Sequence, residues 1–226
     1  MIWFRKKAAG SKSAHPQLRS ALLGELTLAT AAIQRNDDPD TPLSRVTAAQ
    51  ASVLVGDRAQ ARRHLQDLLD LPEISTQTRI QAWNCLRELE VLPSPGQGAV
   101  VRGVAVEIGS PEGLETLVAY EDKSAIRIDP AGEVHRVDNL PGDVVQPHES
   151  LLLAARQIVE HTHPHRGTPE HPPEAGHTCI RVMTYAGTHV GMAPTEALEH
   201  DEVGGPVLAA THHLRAALAV HSHGKV

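Results

Sequence analysis

The chain has 226 residues, a formal net charge of −6 at pH 7 and a hydrophobic content of 41%. This length accommodates one large domain or two small ones, and the apolar content is sufficient for a packed core. The acidic balance and the lack of a long basic run exclude a nucleic-acid footprint. One Phe, two Tyr and two Trp also leave too few aromatic rings for a platform on which bases stack.

No stretch contains the roughly 20 apolar residues that a transmembrane helix needs. Residues 1–7, MIWFRKK, place apolar residues before basic ones and lack the apolar core of a secretory signal. Residues 1–15 as a whole are expected to form a flexible N-terminus. The two cysteines, Cys85 and Cys179, lie in different segments, as is typical of buried thiols in a reducing compartment. We therefore expect a cytoplasmic protein with no integral membrane segment.

The first part of the chain carries the spacing of amphipathic helices. Apolar residues recur every three or four positions and predict a helix over residues 18–35, which the run 36–40, NDDPD, ends. The same spacing predicts further helices, over residues 42–56, 58–71 and 76–91. Together these elements predict a helical domain over residues 16–92.

The run 51–72, ASVLVGDRAQARRHLQDLLDLP, resembles a tetratricopeptide-type repeat. Gly56 and Asp57 occupy the turn between the helices, Ala61 the position of the small residue, and Leu65 and Leu68 the packing positions, while Pro72 closes the unit. The resemblance covers about residues 42–91. It implies stacked helix pairs that present a groove to a peptide or a partner protein. A plain helical bundle fits the same residues.

Residues 93–98 form the predicted linker, because two prolines and two glycines in this stretch cannot continue a helix. Beyond the linker, Val104, Val106 and Ile108 alternate with other residues, which indicates a strand with one buried face. Short polar turns then separate further strands, so the sheet must be antiparallel. We expect later helices to cover its apolar face. The predicted strands span residues 100–108, 114–120, 124–128 and 133–137.

The remaining residues complete a second predicted domain over residues 99–221, followed by a tail at 222–226. The fold class predicted for the whole chain is α+β, with an N-terminal helical, repeat-like domain followed by an antiparallel sheet of about five strands with two helices packed on it. Its predicted elements are a loop over 139–147, a helix over 149–161, a loop over 162–177, strands over 178–184 and 188–192, and a helix over 206–221.

The order of elements in this second domain resembles that of longin and roadblock domains, which commonly serve in dimerisation or docking. The segments 113–125 and 204–214 are also similar to segments of uncharacterised bacterial proteins. Both resemblances imply an interaction module, and neither provides a functional residue.

A histidine-rich loop is the principal candidate site. Imidazole is a common ligand of zinc, copper and nickel, so several histidines in one loop could complete a tetrahedral site. Residues 162–165, THPH, resemble the start of the metallo-β-lactamase ligand motif, but Gly167 and Thr168 replace its Asp and His. A metal-binding protein or metal-dependent hydrolase, with zinc as a possible cofactor, is therefore the alternative function. The candidate ligands are His161, His163, His165, His171 and His177.

Motifs of other chemistry are missing from the sequence. The segment 109–113, GSPEG, lacks the spacing of a nucleophile elbow, and Gly204-Gly205-Pro206 lacks the residues of a phosphate-binding loop. The favoured function is therefore a non-catalytic interaction or adaptor module, and an enzyme is the less favoured reading. Its expected partner is a protein or a peptide, and a second copy of the chain in a homodimer is the alternative.

Overall fold

A computed structural model describes residues 16–25, 27–31, 41–165 and 171–222. The predicted flexible segment 1–15 and residues 223–226 of the predicted tail lie outside the described residues. The chain is α+β, as predicted, with N-terminal helices followed by an antiparallel sheet and further helices. The helices are α1 (Pro16–Leu22), α2 (Leu28–Ala31), α3 (Pro42–Leu54), α4 (Arg58–Leu69), α5 (Thr76–Glu88), α6 (Pro95–Gly98), α7 (Gly142–Ala154), α8 (Arg156–His161), α9 (Thr195–Glu199) and α10 (Gly204–Ser222). The strands are β1 (Gly103–Ser110), β2 (Gly113–Tyr120), β3 (Ala125–Ile128), β4 (Val134–Val137), β5 (His177–Thr184) and β6 (Gly187–Pro194).

The first predicted helix is interrupted after Leu22. Gly24 has a φ of +66°, and a Cβ placed there would lie 2.4 Å from the side chain of Ile80 on α5. Only glycine therefore permits both this backbone conformation and this close approach. The prediction of one helix over residues 18–35 is therefore wrong in its length. The helical spacing of apolar residues continues past Gly24, although this residue interrupts the helix.

Helices α3, α4 and α5 form a layer at the positions that the sequence predicts. Each begins with a capping side chain that accepts a backbone N–H. The capping residues are Thr41, Asp57 and Ser75, and the N–H donors are Ser44, Gln60 and Thr78 respectively. Their apolar faces meet in one buried cluster that includes Ala61, Leu65, Leu68, Cys85, Leu86 and Leu89.

Within the described part of the chain, the sheet contains six strands, one more than the approximate number predicted, in the order β4-β3-β2-β1-β5-β6. All neighbouring strands are antiparallel. Central strand β1 pairs with β2 on one side and with β5 on the other, so that Val104 lies between Ala119 and Val182. Among the described residues, none of the helices combines the length and apolarity that a bilayer crossing requires.

One face of the sheet packs against α7, α8 and α10, as predicted. Val104 and Val106 of β1 lie in this cluster with Leu151 of α7, Ile158 of α8 and Leu214 of α10. Helix α7 begins at Gly142, so the prediction of a loop over residues 139–147 is wrong for residues 142–147. Pro147 lies inside the helix, which makes it a poor marker of the boundary here.

The opposite face of the sheet is also buried, under α1 and α5. Ala105, Val118 and Tyr120 contact Leu22 of α1 and Ile80 of α5 in a third cluster. The Tyr120 hydroxyl donates to the carbonyl of Leu22 at 2.7 Å, and burial raises the pKa of Tyr120. Residues from both sides of the predicted linker therefore share one apolar core.

Candidate functional site

The structure places the predicted metal-ligand histidines along the edge of the sheet and its flanking segments. His161 and His163 are exposed, and the Nδ1 of His161 lies 2.8 Å from the carbonyl oxygen of Gln157. The backbone N–H of His165 donates to the carbonyl of Thr188 on β6 at 2.7 Å. His171 is exposed, and His177 begins β5 with its Nδ1 buried. Because residues 166–170 lie outside the described part, the metal site in this loop stays a prediction.

A histidine outside the predicted set contacts the start of this loop. His189 on β6 is buried, and its Nδ1 lies 2.8 Å from the hydroxyl of Thr162, which donates to the carbonyl of Ile158. Desolvation lowers the pKa of His189, and the nearby His163 lowers it further. His189 is therefore held neutral near pH 7, with one ring nitrogen engaged by Thr162.

Three ligand-type side chains come together on the hairpin between β3 and β4. Within the described parts of the chain, Asp129, Glu133 and His135 are the one group of three whose ligand atoms all lie within 4.8 Å of one another. None of the three is among the ligands predicted from the sequence. The signal that could have indicated them is their spacing across a tight turn, which brings their side chains to one face of the hairpin.

Three buried charged side chains and one partly buried one meet between the sheet and the end of α1. Glu107 on β1 is 0% exposed, and its carboxylate accepts from Arg19 Nη2 at 2.8 Å and from Arg181 Nε at 3.1 Å. Arg181 is 2% exposed, and its Nη1 donates to Glu25 at 3.1 Å. Burial alone would lower the pKa of Arg181, but Cys179 and the carboxylates of Glu107 and Glu25 raise it above the ordinary value. We call Arg19, Glu25, Glu107 and Arg181 the buried network.

Both cysteine thiols, Cys85 and Cys179, are buried in the protein interior. Burial, together with the nearby Glu88, raises the pKa of Cys85 to about 12, so this thiol stays protonated near pH 7. Cys179 is 0% exposed and is the direct neighbour of Glu107 across the pair of β1 and β5. Deep burial keeps both sulfur atoms away from a substrate, which fits the structural role expected for them.

A shallow polar cleft lies between the helical layer and the sheet. It has a volume of about 320 Å³ and is lined by Glu73, Asp122, Arg136 and Asp138 among others. Asp122 accepts from the backbone N–H of Thr76 at 2.7 Å and from Ser124, and these bonds hold its pKa below the usual range although desolvation opposes them. Asp122 thus serves to attach the first turn of α5 to the sheet.

The most exposed large apolar side chains of the described residues lie at one end of the helical layer. Leu54 and Val55, at the turn between α3 and α4, are 80% and 81% exposed, and Leu92, after α5, is 73% exposed. Arg62 of α4 donates twice to the carbonyl of Leu89, at 3.1 Å and 2.7 Å, which holds the end of α5 beside the start of α4. We call Leu54, Val55 and Leu92 the helical tip.

Comparisons of this chain with protein-family models, with curated proteins and with solved structures give no significant match. The tetratricopeptide-like and longin-like resemblances therefore stay predictions.

Proposed function

We propose that the chain is a non-catalytic protein–protein interaction module of the cytoplasm, and that its helical tip receives an apolar segment of a partner protein. The observation that carries this proposal is the exposure of Leu54, Val55 and Leu92, which are all more than 70% exposed at the same end of the helical layer. Most large apolar side chains of the described residues are instead packed in three buried clusters. Exposed apolar groups that gather at one place are typical of interaction surfaces.

The arginines beside the helical tip favour a partner segment with acidic residues next to its apolar ones, and exposed Glu88 and Glu90 offset part of their charge. Exposed Arg58 and Arg63 lie on the first half of α4, whereas the exposed acids of that helix, Asp67 and Asp70, lie at its other end. Arg58 approaches Glu90 at 3.7 Å, but both side chains are at least half exposed, so this ion pair is weak. A carboxylate of the partner can therefore replace Glu90 beside Arg58. Complementary charge of this kind accelerates encounter and sets orientation more than it sets affinity.

The helical tip is held in place by contacts that do not depend on a partner. Asp57 caps α4 by accepting from the backbone N–H of Gln60 at 2.8 Å, and Gly56 adopts a φ of +83° in the turn. Arg62 fixes the end of α5 through the carbonyl of Leu89. A surface that is ordered before binding loses little conformational entropy when a partner docks.

The magnitude of the interaction follows from the apolar groups that binding would bury. Complete burial of one Leu or Val side chain contributes about 1.5–3 kcal/mol. The double substitution Leu54→Ser and Val55→Ser should therefore weaken binding by about 2–4 kcal/mol, which corresponds to a Kd raised by about 30- to 1000-fold.

The test is a photocrosslinking amino acid placed at Val55 in cells of the organism that encodes the chain. We expect one discrete adduct, whose crosslinked segment is identified by mass spectrometry and synthesised as a peptide. That peptide should bind the purified chain, and it should bind the double variant L54S/V55S with a Kd raised by about 30- to 1000-fold. Adding salt should slow association, because Arg58 and Arg63 act at long range.

Leu153 provides the matched control. It is 60% exposed on α7, in the layer on the far side of the sheet from the helical layer. The crosslinker at Leu153 should give no discrete adduct, and L153S should leave peptide affinity unchanged. An adduct of the chain with itself would identify a second copy as the partner. Equal labelling at Val55 and Leu153, or a peptide that binds L54S/V55S as tightly as the unchanged chain, would refute the proposal.

A further inference from the structure

We propose that the hairpin between β3 and β4 binds a divalent transition-metal ion of the zinc class through Asp129, Glu133 and His135. Asp129 follows β3, Glu133 precedes β4, and His135 is the second residue of β4. One ligand atom from each lies within 4.8 Å of the other two. This inference is independent of the interaction surface, which lies on the helical layer.

The backbone of the hairpin brings the three side chains together. The N–H of Asp129 donates to the carbonyl of Glu133 at 3.0 Å, and the N–H of Gly132 donates to the carbonyl of Asp129 at 2.9 Å. Gly132 has a φ of +90°, which a residue with a Cβ rarely adopts. The three ligands therefore lie on one rigid turn, so that little ordering is required when an ion binds.

The side chains of the group are already oriented toward one another. Oδ1 of Asp129 accepts from the backbone N–H of Glu133 at 2.8 Å, which fixes the carboxylate and leaves its second oxygen available. Nε2 of His135 lies 3.8 Å from Oε2 of Glu133. At Zn–N and Zn–O bond lengths of about 2.0–2.2 Å, neighbouring ligand atoms are about 3.3 Å apart. The Glu133 side chain is 70% exposed and can rotate to bring its carboxylate from 3.8 Å to this shorter distance from His135.

The surrounding charges do not oppose a cation at this place. Arg127 is the cross-strand neighbour of His135, but its Nε donates to Glu115 at 2.7 Å. Glu115 also accepts from Arg215 at 3.1 Å, so this carboxylate offsets part of the charge of both guanidinium groups. The carboxylates of Asp129 and Glu133 then provide the negative charge that a divalent ion neutralises.

The ligand set selects the class of metal. One imidazole and two carboxylates suit Zn²⁺, Co²⁺ or Mn²⁺, whereas Mg²⁺ and Ca²⁺ prefer oxygen ligands alone. Three protein ligands leave at least one coordination position for water. A bound ion would join the turn to edge strand β4, which has only four residues, and would therefore stabilise the edge of the sheet.

The test uses the full, tag-free chain after removal of metal with a chelator. Calorimetric titration with Zn²⁺ should give one ion per chain, and Co²⁺ should produce a visible absorption band. His135→Ala and Asp129→Asn should each raise the Kd for Zn²⁺ by about tenfold or more, as loss of groups at a metal centre typically does. Both positions are at least partly exposed, so the metal-free variants should melt at the temperature of the unchanged chain.

The double variant His163→Ala and His165→Ala is the matched control, because it removes two imidazoles from the histidine-rich loop. Its affinity for Zn²⁺ should equal that of the unchanged chain. In a heteronuclear spectrum of the histidine rings, Zn²⁺ should shift the signals of His135 first. The inference is overturned if Zn²⁺ does not bind with one-to-one stoichiometry and a Kd below about 100 μM. It is also overturned if H135A binds Zn²⁺ as tightly as the unchanged chain does. If only H163A/H165A loses the ion, the inference is overturned and the metal site is assigned to the loop.

Discussion

Replacement of Glu107 by Gln tests what the buried network contributes. Glu107 is 0% exposed and accepts from Arg19 and Arg181, which are 7% and 2% exposed. The Gln side chain has nearly the same shape, so the substitution removes the negative charge and leaves two guanidinium groups without their shared carboxylate. Loss of one partner from a buried ion pair costs about 3–5 kcal/mol, because the remaining charge stays buried. Glu25 still offsets part of the charge of Arg181, which places the expected cost toward the lower end of this range.

The chain contains a matched control for this substitution on the opposite face of the sheet. Glu115 also lies between two arginines, Arg127 at 2.7 Å and Arg215 at 3.1 Å, but the Arg215 side chain is 39% exposed. Water screens this second arrangement, so Glu115→Gln should cost about 1 kcal/mol or less. The two substitutions share their chemistry and differ mainly in burial.

The free energy of unfolding is measured by urea denaturation, followed by far-ultraviolet circular dichroism. We expect E107Q to lose at least about 2 kcal/mol more than E115Q. The quadruple apolar variant R19M/E25M/E107L/R181M should be more stable than E107Q, since it removes the four charges of the buried network together. Equal losses for E107Q and E115Q, or a quadruple variant less stable than E107Q, would refute the argument that lost charge compensation is the cause.

Two further substitutions have effects of predictable sign. His148 on α7 is 1% exposed, and desolvation lowers its pKa against weaker opposing effects of Tyr120 and Glu149. The neutral form of His148 stabilises the fold fully above the unfolded-state pKa of about 6.5, and this stability is lost as the pH falls toward the lower folded-state pKa. The free energy of unfolding of H148L should therefore depend less on pH between about pH 7.5 and 5.5 than that of the unchanged chain. An equal pH dependence in the two proteins would contradict this. Gly24→Ala should lower the free energy of unfolding measured in urea by about 1–3 kcal/mol, because of the φ of +66° and the contact with Ile80. Gly96→Ala is the control and should lower it less, because a Cβ at Gly96 meets nothing within 4 Å.

The alternation of residues in β1 predicts one face of the sheet and conceals the other. Val104 and Val106 identify the apolar parity, and the structure confirms that later helices cover it. The opposite parity carries Ala105 and Glu107, and a glutamate in a strand normally indicates a face in water. The pattern therefore could not predict that α1 and α5 cover this face too.

A signal for the second covered face is nevertheless present in the sequence. Gly103, Ala105 and Gly109 surround Glu107 on the same parity of β1, and small residues in a strand often mark the close approach of another segment. In the structure, a Cβ at Gly109 would lie 2.1 Å from the carbonyl oxygen of Glu174. The partners of Glu107 come from residues 88 and 74 positions away, and no local pattern specifies such pairs.

The shared core makes a specific prediction about the boundary at residues 93–98. Trp83 of α5 stacks on Tyr185 of the β5–β6 turn, with ring centroids 5.6 Å apart, and Arg87 donates to the carbonyl of Tyr185 at 2.6 Å. Unfolding of the helical layer alone would expose this face of the sheet and the charges of Glu107 and Arg181, so the two parts should unfold together. After Trp3→Phe, Trp83 is the one remaining Trp, and its fluorescence reports the contact directly. Its urea transition should coincide with that of the circular dichroism signal, as in a two-state process. A fluorescence transition at a lower urea concentration would instead show that the helical layer detaches first and that the linker separates two independent units.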